Sequence, residues 1–249
     1  MRTDILDYHQ FYRSPLGGVV REFIASKLGD AWHDGERLSI AGFGYANPYL
    51  EALTQAERRL AFSPGAQGVV RWPARGPNAA GLVGETAWPL PDASIDRLLI
   101  VHGLEESPDP HRLMREAWRV LTDDGRLIVV ATHRRGLWSM IDSTPFAAGR
   151  PYLKRQLNAL AEGAMFRATQ WNAALFFPPM RGKFLLRAAR AWERAGARVW
   201  PGLGGVIMME AVKDMMAPVG LVRSARGRAL RPAIAAPQPT RREGAPSSG

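Results

Sequence analysis

The sequence predicts an α/β domain built on a mostly parallel sheet, and three features predict it. Two short apolar runs, IDRLLIVH at 95–102 and RLIVVAT at 126–132, read as strands buried on both faces, the pattern of a parallel sheet covered by helices. Segments of helical periodicity alternate with the strand segments, as they must when a chain crosses over between parallel neighbours. Two glycines, Gly42 and Gly44, stand where the first strand should turn towards a helix.

Taken in order, residues 5–28 read as helix, because Leu6, Phe11, Tyr12, Val19, Val20, Phe23 and Ile24 recur at spacings near three and four. The run Ser14-Pro15-Leu16-Gly17-Gly18 divides that helix in two. Residues 37–41 form a short first strand, and 48–60 a helix with Leu50, Leu53 and Leu60 on one side. A second strand starts within 59–62, a third covers 78–83, and 95–102 is the fourth. Residues 110–121 form an amphipathic helix with Leu113, Met114, Ala117, Trp118 and Leu121 on its apolar face. A tight turn at Asp123-Asp124-Gly125 precedes the strand at 126–132. A helix at 152–162, a strand at 169–177, a helix at 182–195 and a last strand at 205–213 complete the domain and close the sheet edge.

The chain has 249 residues, 46% of them hydrophobic, enough for one domain with a sizeable core. It has no cysteine, which excludes disulfides, thiolate metal sites and a cysteine nucleophile. Its five histidines (His9, His33, His102, His111 and His133) have no partners at metal-ligand spacing, so no metal is expected. No run approaches the ~20 apolar residues of a membrane helix, and the N-terminus lacks the apolar core of a secretion signal, so a cytoplasmic protein is expected. The FFPPM run at 176–180 lacks the leading Asn or Asp of an amino-methylating Asn-Pro-Pro-Tyr motif and follows the wrong strand.

The chemistry is carried by AGFGYANPYL (41–50) and by the stretch from Gly84 to Val130. Within the latter, Glu85 follows the third strand, Leu90-Pro91 leads to Ile95-Asp96, and Leu104-Glu105-Glu106 follows the fourth strand. A helix then ends in Arg119-Val120-Leu121, and Gly125 precedes the strand 127–130. In order and spacing, over roughly residues 36–132, the chain resembles the class I S-adenosylmethionine-dependent methyltransferases, within them the large type 11 group. The resemblance implies a Rossmann-like sandwich with an antiparallel edge, methyl transfer, and S-adenosyl-L-methionine as cofactor, but no particular acceptor. Ligands of open α/β sheets sit beyond the carboxyl ends of the strands, so Gly42, Gly44, Tyr45, Ala46, Glu85, Thr86, Val101 and His102 are expected to line one cofactor crevice. The loop at 133–152 supplies the substrate candidates Arg134, Arg135, Trp138, Arg150 and Tyr152, arginines for an anionic group and aromatics for a flat one. The alternative for this loop is a solvated segment docked by Trp138 and Phe146. No catalytic residue is assigned, because methyl transfer can run on proximity and orientation without a dedicated base.

Departures from the family pattern bear on the cofactor. Ile40 stands where an acid precedes the first glycine, and Ala46 replaces the third glycine. At the end of the second strand LAFSPG offers only Ser63 where an acid grips the ribose. Each lost charged acceptor is worth ~1–3 kcal/mol. The second reading is therefore a non-catalytic binding or regulatory protein on the same scaffold, associated with nucleic acid through its basic charge.

The formal net charge is +10, and half the excess lies in residues 217–249, where six arginines face Glu243 alone, 6 − 1 = +5. Rich in Pro, Ala, Gly and Ser, this segment reads as a disordered basic tail on a domain of residues 1–216. Such a tail can contact nucleic acid or anionic lipid. Deleting the chain from Leu221 onward should leave the cooperative thermal transition of the domain intact; loss of that transition would place the tail in the core.

Overall fold

A computed structural model describes residues 2–32, 37–179 and 182–215, the side chains of 183–187 excepted. The tail expected at 217–249 lies outside these residues. Two helices come first, α1 (Ile5–Arg13) and α2 (Pro15–Ala31). Ser14 makes the break between them. Its backbone leaves the helical region, its Oγ accepts from Gly17 N at 3.0 Å, and Pro15 opens α2 where no amide hydrogen is needed.

The sheet has seven strands: β1 (Ser39–Gly44), β2 (Arg58–Pro64), β3 (Ala80–Val83), β4 (Ile95–Val101), β5 (Leu121–Thr132), β6 (Phe166–Ala174) and β7 (Val206–Lys213). Their order is β3-β2-β1-β4-β5-β7-β6. β1 to β5 run parallel, and β7 is antiparallel to both β5 and β6, giving the expected edge. The connecting helices are α3 (Asn47–Leu50), α4 (Pro110–Val120), α5 (Lys154–Gly163) and α6 (Lys183–Val199).

Successive residues of a strand point to opposite faces, and both faces of this sheet are covered. Leu99, Val101, Ile128, Val130, Val206 and Met208 belong to the core that includes α1 and α2. Leu98, Ile100, Leu127, Val129, Ile207 and Met209 belong to the core that includes Leu113, Met114 and Ala117 of α4 and Leu157 and Leu160 of α5. This double burial is why β4 and β5 are continuous apolar runs. Strand β4 also fixes its neighbour through Asp96, whose Oδ2 accepts from Ser39 N at 2.8 Å, the structural role its place in the sequence implies.

Three expectations are corrected. The helix expected over 48–60 is the single turn α3. Its N-cap, Ala46, has no side chain to cap it, and Arg59 Nη1 donates to Leu50 O at 3.1 Å, drawing the chain into β2 instead of onward in helix. The turn at 123–125 is an excursion inside β5: Ile95 pairs with Leu121 and Arg97 with Arg126, so β5 advances five residues where β4 advances two. The strand expected at 169–177 runs from Phe166 to Ala174. It stops because Leu175 N and Phe176 N donate to the Glu193 carboxylate of α6, at 2.9 and 2.7 Å, and leave the sheet ladder.

Replacing Asp96 with Ala leaves the Ser39 amide without its charged acceptor. The variant should lose about 1–3 kcal/mol in urea denaturation; an unchanged midpoint would show that water replaces the carboxylate at no cost.

Candidate active site

The carboxyl ends of β1 and β4 meet at one backbone contact. Gly44 pairs with Val101, and Tyr45 N donates to Val101 O at 2.7 Å. Gly44 sits at φ +86°, and a side chain there would run into the Val101 carbonyl and the Gly103 backbone. At Gly42 a Cβ would lie 2.5 Å from that of Ala46 and 2.9 Å from Leu50, so this glycine lets α3 pack onto the strand. The outer side of the turn is held from β2 and the loop after it, by Gln67 Nε2 donating to Gly44 O at 3.1 Å and Ser63 Oγ at 3.4 Å. His102, the residue after β4, takes φ +52°, a left-handed conformation costly for a side chain with a Cβ.

Helix α1 covers this point. Tyr8 and Tyr12, one helical turn apart, enclose His102 together with Phe146: the Tyr8 and Phe146 rings each lie 4.7 Å from the imidazole. Tyr45 stacks on Tyr8 and Tyr12 at 5.4 Å from each. A hydrogen-bond line runs from Tyr49 OH, which donates to Tyr12 OH at 3.1 Å, to His102 Nε2, 2.9 Å from Tyr12 OH. Burial pushes the Tyr12 and Tyr49 phenols above their ordinary range and holds the His102 imidazolium down to about 3, so the ring is neutral at physiological pH.

The start of the chain is latched beside it. Arg2 donates from Nη2 to Glu85 Oε1 at 2.7 Å and to Gly103 O at 3.2 Å, and Ser107 Oγ donates to the other Glu85 oxygen at 2.7 Å. Glu106 accepts from Thr3 N, Thr3 Oγ1 and Tyr8 OH at 2.9, 3.0 and 3.1 Å. The buried Glu105 accepts from Thr132 N at 2.8 Å, tying the turn after β4 to the end of β5, and burial raises its pKa.

Of the residues predicted for the crevice, Gly42, Gly44, Tyr45, Ala46, Val101 and His102 come together, all buried. Glu85 joins them through Arg2, and Thr86 is exposed. The substrate candidates do not converge. Trp138 is fully buried, donating from Nε1 to Phe177 O at 2.7 Å, and is a core residue of the docked loop. Tyr152 OH donates to Leu104 O at 3.4 Å, Arg134 Nε donates to Pro151 O at 3.2 Å, and Arg135 and Arg150 are exposed. Arg2, Tyr8, Tyr12, Gln67 and Glu106 were not anticipated. The i, i+4 tyrosines of α1 were a legible signal; Arg2 and Gln67 stand in no motif.

Three buried polar atoms in this region have no partner: Nη1 of Arg2, whose side chain is 4% exposed, Oε1 of Gln67 and Oε2 of Glu105. Arg2 and Gln67 supply a free cationic donor and a free acceptor, which suit the carboxylate and the ammonium or hydroxyl groups of S-adenosylmethionine. The donor set therefore fits that molecule; the space beside it is taken by Tyr8 and Tyr12. On the other side of α1 lies a cavity of about 770 Å³ whose lining includes Thr3, Asp7, Phe11, Asp142, Ser143 and Pro145. It contains no Lys or Arg among its lining residues, and Asp7 and Asp142 have no partner among the described residues. Phe11 and Phe146, edge to face at 6.0 Å, link it to His102. Among the described residues no three acidic or histidine side chains gather as for a metal ion.

The strand order and the crevice at the β1–β4 junction define a Rossmann-like methyltransferase sandwich. Residues 41–129 match the methyltransferase domain family. The chain is 34% identical over 98 residues to the uncharacterized protein YafS of Escherichia coli K12, a match covering 34% of this chain and 41% of that protein. The chain thus spans about two fifths of the length of the curated relative it matches. Its fold is similar to a methyltransferase of Thermotoga maritima described as a possible histamine N-methyltransferase, with a TM-score of 0.55, 16% identity and coverage of 84% and 96% of the two chains. It is also similar to a methyltransferase of Archaeoglobus fulgidus, at TM-score 0.55, 14% identity and 84% and 99% coverage. Over residues 41–129 the chain is thus similar to the methyltransferase domain family, and its fold is the one that S-adenosylmethionine-dependent methyltransferases have. Among the described residues no helix is long and apolar enough to cross a membrane.

The buried His102 makes stability depend on pH with a definite sign. The unfolded imidazole binds a proton below its ordinary 6.5, while the folded one refuses it down to about 3. Between these values stability falls as pH falls, by up to about 1.4 kcal/mol per pH unit. His102→Asn, which tolerates the left-handed backbone, should flatten the decline in urea-denaturation stability from pH 6.5 to 4; parallel declines in both proteins would place the titrating group elsewhere.

Proposed function

We propose that this chain transfers the methyl group of S-adenosylmethionine to an acceptor seated in the cavity between α1 and residues 142–148. The observation that carries the reading is the pair of unpartnered buried atoms, Arg2 Nη1 and Gln67 Oε1, at the carboxyl ends of the strands. A buried guanidinium nitrogen without an acceptor is costly, and a bound carboxylate removes the cost. In this reading Arg2 holds the cofactor's carboxylate, Gln67 accepts from its ammonium or hydroxyl groups, and Glu85 accepts from further hydroxyls in place of the absent acids. The cofactor supplies an electrophilic methyl group on a sulfonium.

The chain's own residues do the rest by position. Tyr8 and Tyr12 move aside to admit the cofactor and exclude water on return. His102, neutral and hydrogen-bonded to Tyr12, is an uncharged hydrogen-bonding group between crevice and cavity. Asp7 and Asp142 favour an acceptor whose reactive group is neutral or cationic over an anionic one. The domain is residues 1–216, with 217–249 as an appendage. The non-catalytic alternative draws on the missing acids, whose acceptor role Gln67 and Glu85 take in this reading.

Calorimetric titration with S-adenosylhomocysteine, followed by hydrogen exchange, tests this. The ligand should bind, residues 2–13 should exchange more slowly in its presence as α1 closes over it, and Arg2→Met should weaken binding about tenfold or more. No heat at millimolar ligand would refute the cofactor reading and leave the binding protein standing. Binding indifferent to Arg2→Met would put the ligand elsewhere.

A further inference from the structure

A second concave surface, independent of the crevice, carries the opposite charge. It is a groove of about 700 Å³ lined by Lys27 of α2, His133 and Arg135 after β5, Lys154 and Arg155 at the start of α5, and Trp171 of β6. No Asp or Glu lines it. Lys27 has Asp30 at 4.0 Å, whereas Arg135, Lys154 and Arg155 form no ion pair with any carboxylate among the described residues. Lys154 Nζ lies 4.9 Å from the centroid of the Trp171 ring, which is half-buried in the groove wall. The groove sits on the outermost strand, since β6 pairs only with β7. It opens at the same end of the sheet as the crevice, because His133 follows β5 and Asn172 lies late in β6.

Three unpaired cations held together repel one another, and a polyanion relieves that repulsion while releasing its own counterions. The partner is narrowed by shape and by the tryptophan. A planar bilayer cannot enter a concave groove. A rigid duplex keeps its bases stacked inside and has no free face to offer Trp171. A flexible single strand has both components, phosphates for the cations and an unstacked base for the indole. We propose that this groove binds single-stranded nucleic acid, with the backbone along Arg135, Lys154 and Arg155 and one base stacked on Trp171 in the place that the Lys154 ammonium takes in the free protein, the ammonium swinging to a phosphate. The proposal does not rest on the cofactor reading and holds for a catalytic or a non-catalytic protein.

Fluorescence anisotropy of the full chain with a labelled 12-nucleotide single-stranded RNA tests it, with the arginine-rich residues beyond 216 kept identical in every variant. Trp171→Ala should weaken binding about 5- to 100-fold, and Trp171→Phe, which keeps an aromatic face, should restore most of it. Changing Arg135, Lys154 and Arg155 together to Ala should lower the slope of log affinity against log salt by about 2. These side chains are exposed or half-exposed, and an unchanged melting curve verifies that each variant is folded. A triple variant that binds with the wild-type affinity and salt slope would assign the RNA to another surface and overturn the proposal. So would equal binding of the matching duplex together with indifference to Trp171→Ala, which is the behaviour of a generic basic face.

Discussion

The backbone contact between Gly44 and Val101 decides how everything else at the strand ends is arranged. Because the residue at 44 has no side chain, β1 can end hard against β4, with Tyr45 N bonded to Val101 O and His102 forced into a left-handed bend just beyond. That bend lifts the imidazole off the sheet and into the path of α1, where Tyr8, Tyr12 and Phe146 enclose it. The glycines of this turn serve the close approach of chain to chain as much as any approach to a ligand. Every element of the candidate site is placed relative to this junction: Gln67 through the Gly44 carbonyl, Arg2 through the Gly103 carbonyl, and the cavity through Phe146.

What could be read from the sequence follows from how far each signal reaches. The strands were legible because burial on both faces writes itself as an unbroken apolar run, and β4 and β5 are the clearest cases. The break at Ser14-Pro15 was legible because capping chemistry is local. The one-turn α3 was not, since its end is set by Arg59, a side chain nine residues on, which no periodicity records. The end of β6 likewise depends on Glu193, 18 residues from Leu175. At the site, the glycines, Val101 and His102 were readable from their place at strand ends. Arg2 and Glu106 act across 83 and 103 residues of chain and carry no motif. Trp138 was open to two readings because an aromatic in a Pro- and Gly-rich loop looks the same whether it faces solvent or the core.

The charge of the molecule is partitioned as well as large. The cavity beside α1 presents two carboxylates and no cation, while the groove at β6 presents cations and no carboxylate, and both open at the carboxyl end of one sheet. A net charge of +10 therefore describes neither surface. A ligand with a neutral or cationic reactive group and an anionic remainder meets complementary potentials at the two places, and the sheet sets the spacing between them.

The latch of Arg2 and Thr3 on Glu85 and Glu106 has a consequence for the order of assembly. Arg2 and Thr3 find their carboxylate partners 83 and 103 residues further along, once the intervening strands have paired. Helix α1 cannot dock on a sheet end that does not yet exist, so it settles late in folding, held by Ile5, Tyr8 and Tyr12 and by polar contacts of long sequence separation. Contacts of that kind are the ones a native protein can release without unfolding its core. The lateness of α1 in folding and its readiness to lift from the crevice thus have one origin, the topology that puts α1 over the junction of β1 and β4.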